Sequence, residues 1–221
     1  MKDQTDVFLS GEGDAWYLRN KEYIQQREHT DHILLKLKEL QIHPKRILEL
    51  GCASGYRLQE LQKAFNADCY GIDPSDKAIE DGKKLYPNIH LSKIDAAGMS
   101  FDKDFFDLII FGFSPVWCDR DDLFKIAYLA DRSLQDLGHI AIYDFYSKIP
   151  YRNEYSHHDG LYSYKMKNAD LFSWHPYYIS LLEQIYNSSA KPWQSNDMND
   201  ITALSILKKR KQAAYIDNPY K

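Results

Sequence analysis

Residues 47–55 read ILELGCASG, a short apolar, β-prone run that leads into a turn of small residues. Gly51 and Gly55 bracket this turn, and a helical pattern starts directly after it at Arg57. Small residues let the backbone approach a ligand closely, and the free N–H groups at the start of a helix attract polar or negatively charged groups. This stretch therefore predicts a strand, a ligand-binding turn and a helix in succession.

Similar runs and helical segments alternate over the following hundred residues. The β-prone runs lie at residues 46–51, 68–73, 89–95, 106–113 and 139–145, and the helical segments lie at 57–65, 75–85 and 121–137. Strands that alternate with helices at this spacing indicate βαβ units and a largely parallel sheet. Crossovers of this kind are right-handed in about 98% of cases, which favours a doubly wound arrangement.

The flanking segments are expected to extend this core rather than form a second domain. The chain has 221 residues, and α/β folds often reach about 250 residues as a single domain. Residues 14–41 have helical spacing, and residues 146–168 carry five tyrosines and two histidines without any helical or strand period. The remaining expectations are a helix from Ala169 to about Leu182 and strands near residues 183–187 and 201–208. We therefore expect an α/β fold with a Rossmann-like, doubly wound, mostly parallel seven-stranded sheet in a three-layer αβα sandwich.

The expected single domain, residues 1–221, has five parts. They are an N-terminal helical cap (1–45), a cofactor-binding core (46–145), a substrate insertion (146–168), a final helix and strands (169–209) and a tail (210–221).

Charge and cysteine usage exclude several classes of function. The net charge of −4 argues against nucleic acid as the main partner. Cys52, Cys69 and Cys118 are far apart without a CxxC pair, so the pattern indicates neither a disulfide framework nor a zinc knuckle.

His29 and His32 are three residues apart but lack a third ligand, so no metal site is predicted. No stretch approaches the roughly 18 apolar residues that span a bilayer, and we expect a cytoplasmic protein with no membrane partner.

An acid follows the second strand. Asp73 lies 24 residues after Glu49, at a strand end where a carboxylate accepts both hydroxyls of a ribose. The turn at residues 51–55 is not the GxGxxG of dinucleotide-binding proteins. The glycine turn and Asp73 together indicate a binding site for a nucleoside cofactor. The alternative interpretation is that the glycines only serve a tight turn and that Asp73 is a solvated residue at a strand end.

With ILELGCASG taken as ExGxxxG and followed by YGIDPS at residues 70–75, the sequence resembles the class I S-adenosylmethionine-dependent methyltransferases. The resemblance runs from about Ile47 to Phe145 and continues more weakly to the last strands. It implies S-adenosylmethionine as cofactor and S-adenosylhomocysteine as product. It also implies that Glu49 and Gly51 line the methionine end and that Asp73 holds the ribose.

The same resemblance assigns further cofactor-binding residues. Gly55 belongs to the close-packed turn, Pro74 packs on the adenine, and Asp95 or Ala96 reaches the adenine amine. FDLII, residues 106–110, matches the fourth-strand motif that passes under the cofactor. The remaining implied contacts are Cys52 and Ala53, with Ala53 in place of the usual middle glycine, and Phe111 and Phe113 at the end of the fourth strand.

The segment FLSGEGDAWYLRN, residues 8–20, precedes the core. In many small-molecule methyltransferases a leading helix closes over the cofactor. The resemblance then implies that Arg19 pairs with the methionine carboxylate and that Tyr17 lies beside the sulfonium, since cations favour aromatic faces. The alternative is an ordinary amphipathic helix with Trp16 as its core anchor.

A hydroxyl acceptor needs a base near its proton, and histidine suits neutral pH. His157 or His158, in the insertion beyond the strand ends, is the candidate, with Asp144 and Tyr146 as alternatives. A surface loop whose histidines only form hydrogen bonds is the competing interpretation. A carboxylate or an unprotonated amine would need no base.

These patterns predict methyl transfer to the oxygen or nitrogen of a small polar molecule. The tyrosine-rich wall, with Trp117 and Trp174, suits a sugar or nucleotide-sugar, since aromatic faces with hydroxyl tips bind polar rings. We expect a monomer or homodimer. The alternatives are an RNA or protein methyltransferase, a non-catalytic module that binds S-adenosylmethionine, and an NAD-dependent oxidoreductase, which the missing GxGxxG disfavours.

Overall fold

A seven-stranded sheet runs through the computed structural model, which describes residues 4–25, 31–186 and 198–220. The strands are β1 (Arg46–Leu50), β2 (Asp68–Asp73), β3 (His90–Lys93), β4 (Phe106–Gly112), β5 (Leu134–Phe145), β8 (Tyr178–Tyr186) and β9 (Thr202–Lys209). Their order is β3-β2-β1-β4-β5-β9-β8; β1 to β5 are parallel, and β9 runs antiparallel to both of its neighbours, β5 and β8. The expected mostly parallel, seven-stranded sheet is confirmed.

Helices cover both faces of the sheet. They are α1 (Gln4–Val7), α2 (Gly13–Gln25), α3 (His32–Glu39), α4 (Tyr56–Phe65), α5 (Asp76–Leu85), α6 (Leu123–Ser133) and α7 (Asp170–Ser173), and a π-helical stretch joins α1 to α2 at Phe8–Glu12. Alternate strand residues point to opposite faces. One core therefore contains Ile47 with Leu37 and Leu61 from α3 and α4, while the other contains Leu48 with Ile126 from α6. This is the expected three-layer sandwich.

The strand order reverses beside β1. The chain moves outward from β1 through β2 to β3 and then returns to pair β4 with the other side of β1. In open parallel sheets, ligands bind at the carboxyl ends of the strands where such a reversal leaves a crevice. The topology therefore places the ends of β1 and β4 at the preferred ligand position.

Two boundary predictions were wrong. The helix expected over 169–182 is only α7, because the β-prone residues from Tyr178 onward pair along β9 as strand β8. The helix expected over 121–137 ends at Ser133, because Leu134 starts β5 and pairs with Phe106. The helix expected over 14–41 is described as α2 and α3, and residues 26–30 lie outside the described ranges, as does Asn187 of the predicted strand.

The insertion also differs from expectation. It contains an antiparallel hairpin of β6 (Tyr151–Glu154) and β7 (Tyr162–Lys165), with Tyr151 opposite Lys165 and Glu154 opposite Tyr162. The irregular segment expected over 146–168 is therefore partly a sheet. Within the described ranges, every helix is too short or too polar to cross a bilayer.

Candidate active site

An open cleft of about 820 Å³ lies at the carboxyl ends of β1, β2 and β4. Six of the residues predicted to bind cofactor line it: Gly51, Asp73, Pro74, Asp95, Ala96 and Phe113. The N-terminal segment forms the opposite wall with Gln4, Phe8 and Trp16, and the loop after β4 adds Ser114 and Trp117. The cleft thus combines the glycine turn with a cover contributed from outside the core.

The turn after β1 depends on residues with left-handed backbone. Gly51 has φ 72° and Gly55 has φ 80°, and Ala53 adopts φ 48° between them. A Cβ on Gly51 would lie 2.6 Å from the Cβ of Ser114, so a side chain there would collide with the wall of the cleft. The Gly51 amide donates to the carbonyl of Ile72 at 2.8 Å, which ties the turn to β2. Glycine is needed at position 51 for both conformation and space.

Asp73 ends β2 and faces the cleft. Its Oδ2 accepts from the Ala53 amide and its Oδ1 accepts from the Ser75 amide, both at 2.9 Å. Each carboxylate oxygen has about two acceptor positions, so both oxygens keep capacity for a ligand. Burial raises the pKa of Asp73 to about 6, although the two backbone hydrogen bonds oppose the rise.

Glu49 lies beneath the floor of the cleft. Its Oε1 accepts from Arg57 Nη1, and Arg57 Nε donates to Asp31 Oδ2 at 2.8 Å. All three side chains are at most 2% exposed. A Cβ on Gly112, which lines the cleft, would lie 2.7 Å from Glu49 Oε1.

One atom of this network is left over. Glu49 Oε2 has no hydrogen-bond partner among the described residues. Burial raises the pKa of Glu49 to about 7, and the charge of Arg57 opposes that rise. The network therefore holds an acidic oxygen directly below the turn.

Other predicted contacts divide between the cleft and the core. Asp95 lines the cleft and caps the 3₁₀ turn after β3, where its Oδ1 accepts from the Gly98 amide at 2.8 Å. Phe113 lines the cleft and packs on Tyr143. Four predicted residues of the strands and the turn lie outside the lining: Cys52 and Phe111 are buried in the two cores, Ala53 packs with Tyr17, and Gly55 packs near Leu91.

The N-terminal segment is held over the cleft by polar contacts. Gln4 is 2% exposed; its Nε2 donates to the Trp117 carbonyl and its Oε1 accepts from the Tyr162 amide, both at 2.8 Å. The Thr5 amide donates to Asp119 Oδ2 at 2.9 Å. The segment therefore joins the loop after β4 to the hairpin β6–β7. Sequence reasoning missed Gln4, since a single polar residue near the start of a chain carries no recognisable pattern.

Tyr17 and Arg19 both make contacts within the protein. Tyr17 is 1% exposed, donates its hydroxyl to Asp81 at 3.0 Å and packs with Ala53, so Trp16 rather than Tyr17 lines the cleft. Arg19 Nη2 lies 2.5 Å from Glu12 Oε1 and donates to the Tyr155 hydroxyl at 2.6 Å. The implied contacts of these two residues with the cofactor remain predictions.

None of the four candidate bases lines the cleft. Asp144 is buried and accepts hydrogen bonds from the amides of Val116 and Phe145 and from Asn168, and burial raises its pKa to about 7. Tyr146 packs with Ile201 and Ala203.

The two histidines lie farther out on the insertion. His157 is exposed against the edge of Tyr155, whose ring in turn contacts Trp117 with centroids 5.0 Å apart. His158 Nδ1 lies 3.1 Å from the Asp159 carbonyl oxygen. Of the two tryptophans proposed for the acceptor wall, Trp117 lines the cleft, whereas Trp174 is 68% exposed and lies outside its lining.

The proposed histidine pair is described only in part. His29 lies outside the described residues, and the ring of His32 packs on Tyr186 with centroids 4.7 Å apart. Over residues 4–25, 31–186 and 198–220, no group of three or more potential ligands could hold a metal ion.

Comparison with known proteins agrees with this geometry. Residues 47–138 match a family model described as a methyltransferase domain. This match lies within the stretch, Ile47 to Phe145, that resembles the class I S-adenosylmethionine-dependent methyltransferases. Malonyl-[acyl-carrier protein] O-methyltransferase of Halorhodospira halophila is 23% identical over 100 residues, which cover 43% of this chain and 34% of that protein. The match thus spans about a third of the curated relative.

Solved methyltransferases share the fold over most of the chain. The 1,6-didemethyltoxoflavin-N1-methyltransferase of Burkholderia thailandensis aligns with a TM-score of 0.69 at 12% identity, covering 94% of this chain and 87% of that one. A putative sarcosine dimethylglycine methyltransferase of Galdieria sulphuraria aligns with a TM-score of 0.60 at 14% identity, covering 87% and 86%. At these identities the likeness shows the fold alone.

Methyltransferases of the kind that the sequence resembles use S-adenosylmethionine, and the Burkholderia thailandensis structure holds S-adenosylhomocysteine. The residues around the cleft suit that group at three points. Gly51 leaves room that a Cβ would fill, Asp73 keeps acceptor capacity for ribose hydroxyls, and Glu49 holds an unpartnered acidic oxygen beneath the methionine end implied by the family.

Proposed function

We propose that this protein transfers the methyl group of S-adenosylmethionine to a small polar acceptor that enters the cleft. One observation carries the proposal: a single open cleft is lined both by the glycine turn with Asp73 and by the aromatic rings of Phe8 and Trp117. A cofactor held by the glycine turn and Asp73 would leave the rings to contact a second molecule. We further propose that residues 46–145 bind the cofactor and that residues 146–168 contribute to acceptor binding.

When bound, S-adenosylmethionine would supply an electrophilic methyl group: a bond would form between the acceptor oxygen or nitrogen and the methyl carbon while the carbon–sulfur bond breaks and S-adenosylhomocysteine leaves. The protein's own residues would orient the two reactants. Asp73 would accept the ribose hydroxyls, Gly51 would permit close backbone approach, and Asp95 would lie at the adenine side. Because in-line displacement depends mainly on attack geometry, positioning by these residues supplies most of the acceleration.

A protonated acceptor must lose a proton during methyl transfer, and the four candidate bases differ in how they are placed to accept it. The His157 ring packs on Tyr155, which contacts Trp117 at the cleft, whereas His158 lies beside the Asp159 carbonyl and the hydrogen bonds of Asp144 are to protein groups. A carboxylate or an unprotonated amine acceptor needs no base, and this arrangement favours such a group or a hydroxyl that gives its proton to water.

We propose a sugar or nucleotide-sugar as the acceptor class. Trp117 lines the cleft and packs edge to face on Tyr155, whose hydroxyl bonds to Glu12 and Arg19, so aromatic rings and polar groups lie together beside the cleft. Such surfaces favour polar rings. One structural neighbour is named for N-methylation of a small heterocycle, which is consistent with a small-molecule acceptor.

Cofactor binding is the first test. The melting temperature is measured with S-adenosylmethionine, S-adenosylhomocysteine and NAD in parallel. A ligand at about 100 times its dissociation constant adds about 2.7 kcal/mol, and about 2–4 °C per kcal/mol is typical for a protein of this size. We expect a shift of several degrees with the two sulfur nucleosides alone. A shift with NAD alone would contradict the proposal.

Turnover is the second test. Wild-type protein and an Asp73→Asn variant are incubated with S-adenosylmethionine and a panel of sugars, nucleotide-sugars and small amines, and methylated products are sought by mass spectrometry. Asp102→Asn, on an exposed loop, is the matched control. Product formation that requires Asp73 but not Asp102 supports the proposal. Cofactor binding without turnover on any acceptor favours a non-catalytic module.

A further inference from the structure

Ser114 lies in the wall of the cleft with a hydroxyl that has no partner. It is one of the residues that line the cleft, and its Oγ is shielded from solvent. Among the described residues, nothing forms a hydrogen bond with this oxygen. A buried hydroxyl that has lost its contacts with water without replacing them costs free energy. Such a group needs an explanation, and a ligand that supplies the missing contact provides one.

The backbone on either side of Ser114 holds the residue in place. Phe113 adopts φ 56°, in the left-handed region that residues other than glycine rarely enter, and its amide donates to the Tyr143 carbonyl at 2.9 Å. The Trp117 amide donates to the Ser114 carbonyl at 3.0 Å and closes a turn, with Pro115 at the second position, which proline favours. An unfavourable backbone conformation persists only where its surroundings enforce it, and such residues are concentrated at ligand sites. The position of Ser114 is therefore fixed by the fold.

Ser114 packs directly against the glycine turn. A Cβ built on Gly51 would lie 2.6 Å from the Cβ of Ser114 and 3.4 Å from its Oγ. The resemblance to S-adenosylmethionine-dependent methyltransferases puts the methionine end of the cofactor at Gly51. Rotation of a serine side chain between its staggered positions moves the oxygen without moving the backbone. The hydroxyl can therefore turn from its shielded position toward a ligand that lies over Gly51.

The carboxylate of the methionine part of the cofactor needs hydrogen-bond donors. Within the described part of the chain, the residues that line the cleft include no lysine, arginine or histidine. Arg19, which the resemblance suggests for this carboxylate, lies outside the lining and bonds to Glu12 and Tyr155. A serine hydroxyl can donate as well as accept, and that of Ser114 makes no other hydrogen bond with the described residues. Ser114 therefore offers the donor that the carboxylate requires.

We propose that the Ser114 hydroxyl donates a hydrogen bond to the carboxylate of the methionine part of S-adenosylmethionine, an inference that rests on the function proposed above. This contact would supply the partner that the hydroxyl lacks and would hold the amino-acid end of the cofactor at the glycine turn. With Asp73 at the ribose, the cofactor would be held on both sides of its sulfur atom, which fixes the direction of the methyl group. In-line displacement depends on that direction.

The test compares two ligands that differ only in this carboxylate. S-adenosylmethionine carries it and decarboxylated S-adenosylmethionine does not, while both keep the sulfonium, the ribose and the adenine. The dissociation constant of each is measured by titration calorimetry on the full chain, for wild type and for Ser114→Ala. Ser114→Ala should weaken S-adenosylmethionine binding by about tenfold or more, because a hydrogen bond to a charged group is lost. Binding of the decarboxylated ligand should stay the same.

Two further variants calibrate the comparison. Ser180→Ala removes an exposed serine hydroxyl from β8, which is separated from β4 by β5 and β9, and should bind both ligands like wild type. Asp73→Asn should weaken both ligands by the same factor, because both carry the ribose. A loss restricted to the ligand with the carboxylate would therefore be particular to Ser114 rather than a general consequence of an altered cleft.

Three results would overturn the proposal. They are wild-type protein that binds the two ligands equally tightly, Ser114→Ala protein that binds S-adenosylmethionine as tightly as wild type, and Ser114→Ala protein that loses affinity for both ligands alike. A loss restricted to S-adenosylmethionine in Arg19→Gln but not in Ser114→Ala would assign the carboxylate to Arg19 instead.

Failure of this proposal is distinguishable from failure of the proposed function. Wild-type protein that binds neither ligand would contradict methyl transfer from S-adenosylmethionine and, with it, the role of Ser114. Binding of S-adenosylmethionine that is insensitive to Ser114→Ala would overturn the role of Ser114 alone. Unchanged affinity of Ser114→Ala for the decarboxylated ligand also shows that the variant is folded.

Discussion

The two ends of the cleft are held together in different ways. The proposed cofactor end, formed by Gly51, Asp73 and Asp95, is built from strand ends and backbone hydrogen bonds. The proposed acceptor end, formed by the N-terminal segment with Trp117, is joined mainly by contacts of side chains such as Gln4 and Tyr155. The first end shares the cooperative stability of the sheet, whereas local opening of the second requires only a few contacts to break.

The charged networks next to the two ends also differ, in how deeply they are buried. Arg57, Glu49 and Asp31 are almost fully buried under the cofactor end. The group Glu12, Arg19 and Tyr155 at the acceptor end is partly exposed, with 33% of the Arg19 side chain accessible. Substitutions at the cofactor end should therefore affect folding and cofactor affinity, and those at the acceptor end should affect opening.

Arg57→Met should give the largest effect. It removes the cation but leaves the carboxyl groups of Glu49 and Asp31 buried, and breaking a buried pair in this way costs about 3–5 kcal/mol. The free energy of unfolding is measured with urea at pH 7. Lys36→Met, which removes a partner of the largely exposed Glu39, is the control and should change stability by less than about 1 kcal/mol. Equal losses of unfolding free energy in the two variants would contradict the claim that the buried network of Arg57 matters more for stability than an exposed ion pair.

Asp73→Asn should weaken S-adenosylhomocysteine binding by about 10–100-fold, because hydrogen bonds to a charged group contribute about 1.5–3 kcal/mol. Titration calorimetry measures the affinity, and Asp102→Asn should bind like wild type. Unchanged affinity of Asp73→Asn would mean that the ribose is held elsewhere.

The pH dependence of cofactor binding should report the same carboxylate. The pKa of Asp73 is raised to about 6, and ribose hydroxyls donate to its charged form. Affinity for S-adenosylhomocysteine should therefore be constant well above pH 6 and fall by up to about tenfold per pH unit below it. Asp73→Asn should remove this part of the dependence. A wild-type profile that is flat between pH 5 and pH 7 would contradict the assignment.

Tyr155→Phe should give the smallest effect. It removes the hydroxyl that bonds Glu12 and Arg19, a loss of about 0.5–1.5 kcal/mol. Hydrogen exchange of residues 4–20 should become a few times faster while exchange of β1 and β4 stays constant. Tyr215→Phe, on the exposed tail, is the control. Faster exchange throughout the sheet would mean that the two ends do not differ as described.

The strands, helices and glycine turn of residues 46–145 could be predicted from the sequence because each depends on residues close together in the chain. The strand at 46–51, the turn at Gly51 and the acid at Asp73 follow from hydrophobic period and glycine position, and β1 and β2 bear out the strands. The segment after Phe145 could not be predicted equally well. Only the second half of β8, from Glu183, was expected as a strand; Tyr178–Leu182, expected as helix, pairs with β9 instead, and pairing with another strand does not follow from the local pattern.

The sequence by itself determined the alternation of strands and helices, the small residues of the turn and the acid after the second strand, since these depend on backbone geometry within a few residues. Only the tertiary structure decided that Gln4 joins the cover to the hairpin, that Arg19 pairs with Glu12 and that Ser114 packs against Gly51. Those residues are far apart in the chain, and nothing in their spacing reports which side chains packing will bring into contact.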